Sequence, residues 1–223
     1  MVVAGNMLDV IPQVTLSTMP LHRRIAHGEH DEIRVFGTPG TTIRIRIKSD
    51  AGDDVSFEKV VPSGAAICRF DTADISPEAR HAEVSILSKR TTLATFYYTV
   101  GRRYVSDVRL AWLSEAGTIE RYTFPIVRNM ERSVVRSRTE RADAWLDTVE
   151  CQSELCVRLV SDYERREVAA ALAAIVSSPC VWSEYGEILT PADVISSSST
   201  LYALGRPDCV ELDLRVQRKG VAV

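Results

Sequence analysis

No stretch of the 223-residue chain approaches the ~18 consecutive apolar residues that a membrane helix needs. The opening residues, Met1 to Asp9, lack the positive segment and long apolar core of a secretory signal, so synthesis and folding in the cytoplasm are expected. Neither sign of charge is in excess: 27 Lys and Arg against 30 Asp and Glu leave a net charge of −3. That balance excludes the basic excess behind general nucleic-acid binding, and mixing of the two signs along the chain reads as a solvated surface. Cysteine is sparse and odd in number: Cys68, Cys151, Cys156, Cys180 and Cys209. Their irregular spacing, without a signal segment, reads as reduced thiols serving as small core residues. Cys151 and Cys156 flank Gln-Ser-Glu-Leu, a gap that fits a hairpin, and no second Cys or His pair completes a zinc set.

Catalytic patterns are lacking too. The chain has no Gly-x-Ser-x-Gly elbow, no phosphate-binding loop and no dinucleotide fingerprint. Gly37-Thr-Pro-Gly40 leads into a strand rather than the helix N-terminus that would hold a phosphate. Of four histidines, His27 and His30 lie in His-Gly-Glu-His-Asp-Glu32, a gathering of metal-ligand types without the helix a zincin site needs, and a solvated turn is the better reading. No catalytic, cofactor-binding or metal-binding residue is assigned, no cofactor is expected, and the expected class is not an enzyme.

What the chain has is strand signals. In Thr41 to Lys48, Ile43, Ile45 and Ile47 alternate with Arg44, Arg46 and Lys48, the period-two mark of a strand with one wet face. Ile33–Phe36, Val55–Val61, Ala65–Phe70, Ala82–Leu87 and Thr92–Val100 continue the series, punctuated by Gly37-Thr-Pro-Gly40, Ser49 to Asp54 and Pro62-Ser-Gly64. Short strands with frequent turns predict an immunoglobulin-like β-sandwich over residues 1–101. Gly101-Arg-Arg103 is the expected boundary, with a second domain over 102–223.

The second half opens on a hairpin: Val108, Leu110 and Trp112 alternate on one strand, Tyr122, Phe124 and Ile126 on the next, with Gly117 in the turn. Arg128 to Arg141 is polar, with five arginines interleaved with Glu131 and Glu140; lacking aromatics to stack bases, it reads as an exposed strand and loop. Ala144–Val149 and Leu155–Val160 continue the sheet. Ser161-Asp-Tyr-Glu164 fits a capping box, after which Val168, Leu172, Ile175 and Val176 form one helix face that ends at Ser177-Ser-Pro179. A lone amphipathic helix among strands must lie across a sheet. Short strands follow at Cys180–Tyr185, Ile188–Thr190, Val194–Ile195 and Thr200–Ala203, and Val210–Gln217 alternates strictly. The predicted class is mostly β: an immunoglobulin-like sandwich plus a C-terminal β-barrel or sandwich with one packed α-helix.

Three segments carry a resemblance: Phe96 to Tyr104; Val108 to Phe124, similar to an aromatic hairpin written F-L-N-x-x-G-x-x-D-x-Y-T-F; and Glu164 to Trp182 followed by Ile188 to Val194. Over roughly residues 96–217 the chain resembles tail-associated structural proteins of phages and prophages of Bacteroides-type bacteria. It departs at Ser114, where asparagine is usual, and at Glu120, where aspartate is. The resemblance implies a tail-tube or distal-tail type domain, preceded by an immunoglobulin-like decoration or docking domain. The expected function is that of a virion structural protein forming or decorating a ring in the tail, neck or baseplate. Its expected partners are copies of itself and other phage tail or neck proteins, with no membrane and no specific nucleic acid; it would reside in the host cytoplasm during assembly. The alternative is a receptor- or glycan-binding adhesion module.

Overall fold

The computed structural model describes residues 14–89, 91–140, 146–196 and 209–216. It is mostly β, of sandwich or barrel-like class, with one short α-helix. Two compact units result: one takes the chain as far as Tyr104 together with Leu113–Thr123, the other Val105–Trp112 and the chain from Phe124 onward. A single boundary is expected from the sequence at Gly101-Arg-Arg103, whereas the chain passes between units three times. The reason is local. Residues 113–123 carry polar side chains that complete a network in the first unit.

Eight strands make up most of that unit: β1 (Val14–Leu16), β2 (His22–Ala26), β3 (His30–Phe36), β4 (Thr42–Ser49), β5 (Asp54–Val60), β6 (Ala65–Asp71), β7 (His81–Ser88) and β8 (Thr91–Gly101). They form two sheets, in the orders β1-β3-β6 and β2-β8-β7-β4-β5. This is the immunoglobulin-like arrangement, with the strand after β4 pairing beside it and β2 running parallel to the last strand, β8. Ile43, Ile45 and Ile47 are buried as their alternation predicts, packed in one core with Ile33, Val35, Phe70, Val84, Ile86 and Phe96 from both layers. The intervening Arg44 and Arg46 face out and pair across the ladder with Glu58 and Asp54 of β5. Cys68 lies inside that core, where burial pushes its thiol up to about 11. It is a packing residue.

β9 (Val108–Leu113) and β10 (Ile119–Phe124) flank the turn Ser114–Thr118, closed by the Ser114 amide donating to the Thr118 carbonyl at 2.8 Å. Gly117 has φ 73°, the left-handed conformation the turn requires. The second unit then holds β11 (Ile126–Glu140), β12 (Leu146–Val160), α1 (Arg166–Ala173), β13 (Val181–Tyr185), β14 (Ile188–Val194) and β15 (Glu211–Val216). Its strands run in the order β9-β13-β14-β15-β12-β11, and every neighbouring pair among them is antiparallel. Leu110, Trp112, Leu159, Leu212 and Leu214 are buried there, as are Val168, Ala169 and Leu172 of α1 and Ile175 in the 3₁₀ turn that follows it.

The expected capping box does not form. The helix starts four residues later than Glu164-based capping requires, with Arg165 at its N-cap and no side-chain cap bond. Ser161 is taken up otherwise: its amide donates to the Val210 carbonyl (2.9 Å), and its Oγ accepts from the Val210 amide (2.8 Å). It extends the β12–β15 ladder by one rung, so its side chain is spent on the sheet. The predicted strands at Ile188–Thr190 and Val194–Ile195 are one strand, β14, and Thr200–Ala203 lies outside the described residues.

Candidate assembly surface

An ion out of water needs compensation, so a buried charge gathers polar partners around it. Arg23 on β2, Asp31 on β3 and Tyr98 on β8 are all buried in the first unit. Arg23 Nη1 donates to Asp31 Oδ2 at 2.7 Å, and the Tyr98 hydroxyl donates to the same oxygen at 2.8 Å. The remaining donors of Arg23 reach the Pro20 carbonyl (3.0 Å) and Ser17 Oγ (2.6 Å), and its guanidinium lies over the Phe96 ring. Burial alone would lower the pKa of Arg23, but Tyr98, Asp31 and Glu120 outweigh it and raise it. Burial, then Asp31, pushes the Tyr98 phenol well above its ordinary value. Arg23 is a fixed cation and Tyr98 a fixed neutral donor, and the cluster ties one layer of the sandwich to the other.

The turn between β9 and β10 completes this cluster. Glu120 is buried and accepts from Ser17 Oγ (2.8 Å), the Thr18 amide (2.9 Å) and Thr118 Oγ1 (2.8 Å). Thr118 Oγ1 in turn lies 2.7 Å from Ser114 Oγ. The two positions at which the sequence departs from the resembled hairpin, Ser114 and Glu120, are thus joined through Thr118. Thr123 donates to Glu29 Oε2 at 2.7 Å, and Arg121 pairs with Glu32 at 3.0 Å. Sequence reading missed this network, since nothing in alternation says which buried strand carries the partner of a buried charge.

His27-Gly-Glu-His30 does not form a solvated turn throughout. Gly28, with φ 80°, makes the bend, but Glu29 and His30 are buried, and the Glu29 carboxylate accepts from the Ala26 amide at 2.9 Å. Among the described residues no three side chains of metal-ligating type cluster.

The other notable surface is an arm. β11 and β12 are each fifteen residues long and pair along their length, with irregularities at Val127/Asn129 and Ser137/Arg138. A strand of that length spans about 50 Å. β15 pairs with β12 only from Val160 back to Leu155, so among the described residues the ladder beyond has two strands. Met130 to Glu140 are all exposed. The polar stretch read as an exposed strand and loop is continuous strand to Glu140. Cys151 and Cys156 do not flank a hairpin: both sit inside β12, five residues apart and hence on opposite faces.

Directly paired residues of an antiparallel ladder share a face. One face of the arm therefore carries Met130 with Val157, Arg132 with Leu155, Val134 with Ser153 and Arg136 with Cys151. The other carries Glu131 with Cys156, Ser133 with Glu154, and Ser137 with Glu150. At the arm's base the first face is the core side of the sheet: Val157 and its β15 partner Leu214 are buried, while Met130 in the same row is 60% exposed. The second face continues the wet side, where Arg215 forms an ion pair with Glu154 at 3.1 Å and Arg158 donates to Asp213 at 2.7 Å.

No protein-family model matches the chain, and no curated protein matches it either.

Proposed function

We propose that this protein is a structural component of a bacteriophage virion, which forms or decorates a ring in the tail, neck or baseplate and turns over no substrate. The observation that carries the reading is the arm. A two-stranded ribbon in water is at best marginally stable by itself, and this one extends beyond the third strand with apolar side chains such as Met130 and Val135 exposed. Such a ribbon gains its stability from a neighbour, which is what a subunit of a repeating assembly has. The resemblance of residues 96–217 to phage tail-associated proteins supports the same reading. The protein would pass from the host cytoplasm into the particle on assembly. Mass spectrometry of purified virions tests this: the chain is expected in intact particles, and its presence in infected cells but absence from particles overturns the reading.

A second reading, a glycan- or receptor-binding module, draws on an open hollow in the sandwich lined by Pro39, Thr41, Thr42, Arg44, Glu58 and Lys89. Its polar lining suits a hydroxylated ligand, and a glycan array with the whole chain separates the two readings.

A further inference from the structure

We infer that two copies of this chain pair through the outer edges of their β11 strands, antiparallel about a two-fold axis that passes through Ser133. This contact goes beyond the virion reading and does not rest on it.

The edge itself is the first support. Among the described residues β11 pairs with β12 alone, so the sheet ends on its outer side. An unpaired edge presents a row of backbone donors and acceptors, and soluble proteins blunt such rows with bulges, proline or lysine. From Asn129 to Glu140 β11 has none of the three. No Pro or Lys interrupts it, and the register shift at Ser137/Arg138 falls on β12, which carries the extra residue Val149. A strand that regular is a template for strand addition.

Charge selects the partner and the register. An antiparallel pair related by a two-fold axis sets one residue against its own counterpart, and the flanking residues face each other in reverse order. Like charges directly opposite are destabilising. Centred on Glu131, Arg132, Arg136 or Arg138, β11 would set that charge against itself. Centred on Val134 or Val135, it would set Arg132 against Arg136 or Arg138; centred on Ser137, it would set Arg136 against Arg138. Axes nearer either end leave only a few residues paired. The axis through Ser133 avoids every such clash: Arg132 faces Val134 of the second copy, Glu131 faces Val135, and Met130 faces Arg136.

The same register covers what one chain leaves open. Met130 and Val135 are 60% and 65% exposed. Each then lies beside the aliphatic stem of a charged residue, whose head stays in water. The contact uses one surface twice, so it closes at two copies and joins the two sheets into one.

Sedimentation velocity of the whole chain over a concentration series tests this. The unsubstituted chain is expected to dimerise. Val134→Arg sets two arginines opposite each other on both sides of the axis and is expected to weaken the dimer about tenfold. Val134→Glu sets a carboxylate opposite Arg132 and is expected to tighten it by about the same factor. Far-ultraviolet circular dichroism shows whether both forms keep the fold. Cross-linking gives a readout independent of Val134. In a form with Cys151, Cys180 and Cys209 replaced by Ser, Ser133→Cys is expected to yield a disulfide-linked dimer on mild oxidation. Ser137→Cys is not, because its two copies lie roughly 27 Å apart in this register. Three results overturn the inference: an unsubstituted chain that stays a monomer, folded Val134 forms that shift the dimer in the same direction or not at all, or Ser137→Cys cross-linking as readily as Ser133→Cys. Each of these leaves the virion reading intact; absence from purified particles removes the virion reading and leaves the dimer.

Discussion

Arg132 and Leu155 stand directly opposite each other in the last row of the ladder that a third strand reaches, since Leu155 also pairs with Val216 of β15. Beyond that row the sheet becomes a ribbon, and its core side and wet side become two exposed faces. The chain's organisation turns on this change.

Joining Ser133 to Glu154, which are paired, through Asn-Gly would replace the outer arm with a two-residue hairpin turn. None of the removed residues whose burial is described is buried. The unfolding free energy of the remaining protein should change by less than about 0.5 kcal/mol, the range of surface changes, while self-association is lost. A large loss of stability by urea denaturation would show that the arm supports the fold instead.

Leu172 is fully buried on α1, with Val168 and Ala169 on the same helix and Ile175 just beyond it. Leu172→Ala should cost about 2–5 kcal/mol, the usual effect of emptying a packed site. Equilibrium unfolding measures it, and a cost below about 0.5 kcal/mol would mean that the stripe is not core.

Much of this fold was legible in the sequence, because alternation reports a strand with one buried face. Ile43, Ile45 and Ile47 announce β4, and the strict alternation of Glu211 to Val216 announces β15. β1 and β2 left no such trace: Val14–Leu16 is too short, and β2 places Arg23 at a buried position, which inverts the expected pattern. The capping box misled because Ser161 has a competing partner in Val210 that lies 49 residues away in sequence. The arm was half legible. Its polarity marked β11 as exposed, but only the ladder register separates its arginines from its glutamates. The spacing of Cys151 and Cys156 suggested a turn where there is continuous strand.

Tyr98 ties β8 to Asp31 from a fully buried position. Tyr98→Phe should cost about 1–3 kcal/mol, because Asp31 then loses a donor inside the core. Its raised pKa gives a second readout. For an acid whose folded pKa lies above its unfolded value, stability is complete below the unfolded pKa, about 10 for tyrosine, and is lost as pH rises through the folded value. Phenolate absorbance should therefore show at least one tyrosine fewer ionising in the folded protein than in urea. Full titration of all seven tyrosines without unfolding would contradict the burial.

Two aspartates predict the acid response of the sandwich. The amides of His81 and Arg80 hold Asp50 below its ordinary pKa, and the Ser49 hydroxyl and Ser76 amide do the same for Asp53. Asp50 is exposed and Asp53 half-buried, so each effect is small and screened. A lowered folded pKa means that the contribution is present above the unfolded pKa, 3.8, and is lost as pH falls through the lower folded value. The melting temperature should fall as pH drops below about 4, and the combined Asp50→Asn and Asp53→Asn form should show a shallower fall. An unchanged pH slope in that form would show that other carboxylates govern acid unfolding.

Cryo-electron microscopy of the assembled protein, in the particle or as the purified oligomer, shows whether the arm is an assembly contact. The map should show the arm of each copy covered by a neighbouring subunit. Arms projecting into solvent, with neighbouring copies joined through other surfaces, would contradict it.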